Sequence, residues 1–68
     1  MRFSTIEFEF AHGRRPRGYG HWAFELRAIG GLLLGKIQAP VGNYSEAKRW
    51  AVAQARQVGG VAEIRVLS

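Results

Sequence analysis

Residues 12 to 21, His-Gly-Arg-Arg-Pro-Arg-Gly-Tyr-Gly-His, hold the densest chemistry in the chain. Arg14, Arg15 and Arg17 fall within four positions, and no acid stands among them. A guanidinium presents a planar fork of donors matched to phosphate and carboxylate oxygens. The neighbouring glycines let a backbone approach such a group closely. Tyr19 adds an aromatic face on which a base can stack, and His21 closes the segment. Arg27 stands on the strand expected to follow, where an outward side chain could reach a base edge. Arg14, Arg15, Arg17, Tyr19, His21 and Arg27 are therefore the candidate contacts to an anionic partner.

His12 and His21 are the only candidates for acid–base chemistry. The run Gly18-Tyr19-Gly20-His21 resembles a stretch of small ribonuclease toxins built on a double-stranded-RNA-binding-like fold. That resemblance implies a histidine acting as general acid or base beside a cation. Those toxins begin with a helix, whereas the alternation at the start of this chain reads as a strand. A sheet with one helix also offers little to enclose a substrate, so the expectation is a protein that binds and does not catalyse. The histidines have no third ligand nearby in sequence for a metal, and with no cysteine there is neither a disulfide framework nor a thiolate site. No cofactor is expected.

A wider resemblance starts at Arg15. The run Arg15-Pro16-Arg17-Gly18-Tyr19-Gly20-His21-Trp22-Ala23-Phe24-Glu25-Leu26-Arg27 resembles the second strand of the ethylene-response-factor (APETALA-type) DNA-binding domain. Leu33-Leu34-Gly35 is similar to that family's third strand, with Leu33 where the family has a tryptophan. Glu46-Ala47 and the alanines after it are similar to its helix. The likeness covers about half the chain. It implies a three-stranded sheet laid in the DNA major groove, with Arg15, Arg17, Trp22 and Arg27 as contacts.

The elements that must position these residues follow from periodicity. Arg2 to Phe10 alternates, with Ile6, Phe8 and Phe10 on one face, which predicts a strand. Ala11 to Gly20 breaks every pattern and predicts a loop. His21 to Ile29 alternates again, with Trp22, Phe24, Leu26 and Ala28 inward and His21, Ala23, Glu25 and Arg27 outward. Glu25 should accordingly matter little to stability. Gly30-Gly31 suits a tight hairpin that needs positive φ, and Leu32 to Gln38 forms the third strand. Asn43 with Glu46 resembles a capping box at the start of a helix, with Ser45 as a competing cap. Ala47, Trp50, Ala51, Ala55 and Val58 recur at helical spacing over Tyr44–Val58, with Lys48, Arg49 and Arg56 on the other face. Gly59-Gly60 ends that helix, and Val61 to Leu67 is a last strand. The expected fold is α+β: a small antiparallel sheet with one helix packed on one face, in the order β-β-β-α-β.

All 68 residues make one domain. A chain this short has a marginal core, and a homodimer is one way to enlarge it. No apolar run has the length of a membrane span and no leader is evident, which predicts a cytoplasmic protein of a microbe or its mobile elements. Ten Lys and Arg oppose five Glu, eight of the ten being arginine, and the net charge is +5. A GC-rich coding sequence or an anionic partner would each produce that bias. The expected function is a basic nucleic-acid-binding module that takes duplex DNA through residues 12 to 21. The alternative is a phage- or plasmid-encoded inhibitor or accessory factor, anti-CRISPR-like, that binds an acidic protein or nucleoprotein surface.

Overall fold

The computed structural model describes residues 1–67. In chain order the elements are β1 (Arg2–Ser4), α1 (Ile6–His12), β2 (Tyr19–Gly20), β3 (Ala23–Arg27), β4 (Leu33–Gln38), β5 (Gly42–Asn43), α2 (Tyr44–Val58) and β6 (Glu63–Val66). The class is the expected α+β, with more strands than expected and a mixed sheet. Four strands lie in the order β1-β6-β3-β4, where β1 runs parallel to β6 and β3 is antiparallel to both its neighbours. β2 and β5 make a separate two-stranded antiparallel ribbon. Among the described residues, no helix is long and apolar enough to cross a membrane.

α2 covers one face of the sheet because its inward stripe is alanine. Ala47, Ala51 and Ala55 are buried against Phe24, Leu26, Ile64 and Val66, and their small side chains let the helix approach the strands closely. Alternation along β3 holds as expected, with Trp22, Phe24 and Leu26 all buried. Asn43 makes no side-chain cap for α2, contrary to the capping-box expectation. The Tyr44 amide instead donates to the Gly18 carbonyl at 2.9 Å. The β3–β4 hairpin turns through Ile29–Gly31, and both glycines carry positive φ, 86° at Gly30 and 91° at Gly31.

The expected first strand is corrected in its second half. β1 ends at Ser4, and Ile6–His12 is helical. Seven residues are too few for periodicity to separate the two forms, and the local ends decide instead. The Thr5 hydroxyl donates to the Glu9 carboxylate, Glu7 and Glu9 lie in the first turn, where acids favour the helix dipole. Gly13 then closes α1 in the left-handed conformation, its amide donating to the Glu9 carbonyl. The helix buries Phe8 alone, leaving Ile6 and Phe10 exposed.

Glu25 is the second correction. It faces away from α2 as alternation requires, yet it is only 6% exposed. Its strand is flanked on both sides, with Lys36 opposite on β4 and Arg65 opposite on β6. The Arg27 Nε donates to its carboxylate at 2.5 Å. Arg65 donates in turn to Glu63 at 2.6 Å and reaches Glu7 of α1 at 3.4 Å. The hydrogen bond to Glu63 holds the Arg65 guanidinium more firmly protonated than usual.

Candidate nucleic-acid interface

The arginine-rich segment is a pinned loop. Pro16 is buried in it. The Gly18 carbonyl accepts both the Trp22 indole N–H at 3.2 Å and the Tyr44 amide at 2.9 Å. Trp22 itself is clamped between Phe8, at 5.5 Å between ring centroids, and Tyr44, at 5.0 Å edge-on. Burial pushes the Tyr44 phenol pKa up. Beyond Gly18, Tyr19 and Gly20 pair with Asn43 and Gly42. The loop backbone is thus tied to the start of α2 and to the core, which sets the places from which its side chains project.

Those places converge at the end of the sheet where β6 finishes and β3 begins. His12, Arg14, Arg17, Tyr19 and His21 line an open hollow of about 320 Å³. Its inner wall is apolar, built from Phe8, Trp22 and Leu67. The Arg14 guanidinium sits 5.7 Å over the Phe8 ring, a cation–π contact that leaves the charge at the rim. The His12 ring lies against the other part of Phe8 at 4.4 Å. Tyr19 is 74% exposed, with its ring free to receive a flat partner. Among the described residues, no acid lines the hollow. His12, absent from the expected contacts, is brought in by α1, whose helical turn the sequence pattern conceals.

Two expected contacts fall elsewhere. Arg15 lines a neighbouring hollow with Thr5, Pro16, Tyr44 and Lys48. Arg27 lies on the sheet face opposite α2, where Nε is bonded to Glu25 and Nη1 donates to the Gly31 carbonyl at 2.6 Å. Trp22, a contact implied by the family likeness, is 7% exposed and belongs to the core. Arg15, Arg17, Trp22 and Arg27 therefore do not share one surface.

Charge is segregated along the same division. The ion pairs among the described residues join Arg27 and Arg65 to Glu25, Glu63 and Glu7 on the face away from α2. That cluster carries two positive and three negative charges, a net −1. Lys36, opposite Glu25, and Arg2, opposite Glu63, lie on that same face and bring it to a net +1. The other six cations stand on the loop and α2 and, against Glu9 and Glu46, leave a net +4 there. The field that draws an anionic partner comes from the loop and helix side. Among the described residues, no group of three or more His, Cys, Asp or Glu is placed to hold a metal. No side-chain hydrogen bond there fixes the tautomer of either imidazole.

Set against known protein families, curated proteins and solved structures, the chain matches none of them at a significant level.

Proposed function

We propose that this chain binds nucleic acid by its phosphate backbone, through the hollow framed by Arg14, Arg17, Tyr19 and His21 with Arg15 beside it, and that it performs no catalysis. One observation carries the reading: five polar and cationic side chains from α1, the loop, β2 and its link to β3 meet at one hollow with an apolar wall that no acid among the described residues lines. Cationic forks at the rim suit phosphate oxygens, and an exposed tyrosine suits a base. Arg27 stands outside this footprint, engaged by Glu25 and the hairpin. Two histidines share the hollow, but neither has the orienting partner that a general base ordinarily has.

Duplex DNA is the first probe. Each phosphate neutralised by an arginine adds about 0.9 to the slope of log affinity against log salt on B-form DNA. Replacing Arg14 and Arg17 by Gln should therefore flatten the slope by about 1.8 and weaken binding to all sequences alike. A salt titration in which this variant keeps the wild-type slope removes the hollow from the account. Weak, salt-insensitive DNA binding beside arginine-dependent capture of a protein would favour the inhibitor instead.

A further inference from the structure

We propose that a cationic groove between β1 and α2, which reaches the arginine loop at Arg15, is a track for a single nucleic-acid strand; this rests on the nucleic-acid reading above and names the form of the ligand. Two adjoining hollows make the groove, and they share Lys48. The upper one lies at the loop, between Thr5, Arg15 and Tyr44. The lower one runs down the edge strand to Arg2, with Phe3, Val52 and Arg56 along it. Among the described residues, neither is lined by an acid.

The positions follow from simple periodicity. Tyr44, Lys48, Val52 and Arg56 are spaced four apart, so they form one stripe along α2. β1 lies beside that stripe as an edge strand with β6 as its sole neighbour among the described strands. Lys48 Nζ rests 4.7 Å over the Phe3 ring, which places its charge above an apolar floor. Lys48 to Arg56 spans eight residues of helix, about 12 Å at 1.5 Å per residue. Stacked duplex advances about 3.4 Å per nucleotide on each strand. An unstacked strand advances further, so that length takes fewer phosphates than a duplex strand would place there, in keeping with one each for Lys48 and Arg56.

The floor decides between ligand forms. A duplex offers its protein partners phosphates and groove edges, and cations alone would suffice for it. Here half-buried Phe3, Tyr44 and Val52 lie between the cations, and a further ring, Tyr19, stands exposed at the far end of the arginine loop. Alternation of cations with apolar surface is what an unstacked strand uses. Lys48 covers the Phe3 ring and Tyr44 packs on Trp22, so the floor supplies apolar contact and Tyr19 is the ring open to a base. Arg15 is the junction, standing in the loop and lining the groove.

The test uses a labelled oligothymidine and a duplex of equal length, titrated by fluorescence anisotropy at two salt concentrations. Three proteins are compared: wild type, Lys48→Gln/Arg56→Gln, and Arg14→Gln/Arg17→Gln, each first shown folded by circular dichroism. The groove variant should lower the single-strand salt slope by about 1.4, two phosphates at about 0.7 each, and wild type should bind the single strand more tightly than the duplex. A groove variant with the wild-type slope, or tighter binding to the duplex, overturns the groove while leaving the loop's role standing. An Arg14/Arg17 variant that keeps its slope while the groove variant loses it overturns the loop's role and spares the groove. Displacement of the oligonucleotide by polyglutamate at equal charge concentration overturns the track in favour of any acidic chain. Failure of the wild type to bind either oligonucleotide overturns both.

Discussion

Replacing Trp22 by Phe tests the link between core and loop. The indole N–H to Gly18 is one hydrogen bond, worth about 1 kcal/mol net. The Gly18 carbonyl keeps its bond from the Tyr44 amide, so no buried acceptor is orphaned. The smaller ring gives up apolar contact with Phe8 and Tyr44, about another 1 kcal/mol at 25 cal/mol per Å². The expected cost is thus about 2 kcal/mol against a total stability of about 3–10 kcal/mol for a domain of this length. With a urea m-value of about 1 kcal/mol/M for so small a protein, the midpoint should fall by about 2 M. Trp22→Ala should cost about 3–5 kcal/mol and leave little folded protein. Urea unfolding followed by circular dichroism, with Trp50 fluorescence as a second probe, gives the midpoints. An unchanged midpoint in Trp22→Phe refutes both the clamp and the contribution of the Trp22 indole to holding Gly18.

Other substitutions read other parts of the structure. Glu25→Ala removes the buried partner of Arg27 and should cost about 1–2 kcal/mol in chemical denaturation, where a solvated glutamate would cost nothing. Gly13→Ala forces a side chain into the left-handed cap of α1 at φ 68° and should cost about 1 kcal/mol, with some loss of helical circular dichroism. Ala51→Leu puts bulk where the helix has no exposed surface and should destabilise by about 1–3 kcal/mol by the same denaturation assay. Wild-type protein incubated with RNA in chelator should leave it intact on a gel; cleavage that His12→Ala or His21→Ala abolishes would overturn the non-catalytic reading.

What the sequence disclosed depended on how local each feature is. The long helix and the inward set Trp22, Phe24 and Leu26 were legible because each repeats its period several times. α1 was not, since Ile6, Phe8 and Phe10 fit a strand's alternation while the helix buries Phe8 alone, and the choice falls to Thr5, Glu9 and Gly13. Burial of Glu25 depends on Lys36 and Arg65, strand neighbours that no reading of β3 alone supplies. The arginine loop stood out as a run of residues. The groove did not, because Phe3, Arg15, Lys48 and Arg56 meet only after the sheet has brought β1 beside α2.

The place of β6 sets an order of assembly. It lies between β1 and β3, and its Ile64 and Val66 have no exposed surface. Arg2 meets Glu63 across a sequence distance of 61 residues, and closing a loop that long costs about 3.6 kcal/mol in chain entropy. The β3–β4 hairpin closes only from Arg27 to Leu33, at less than half that cost. Hairpin and helix can therefore form early, while β1 docks only once β6 is present to receive it. Until residues 63 to 66 have been synthesised, Phe24 and Leu26 have no strand beside them on the β6 edge. A nascent chain at that stage displays an unpaired, apolar strand edge of the kind that chaperones shield and that aggregation recruits.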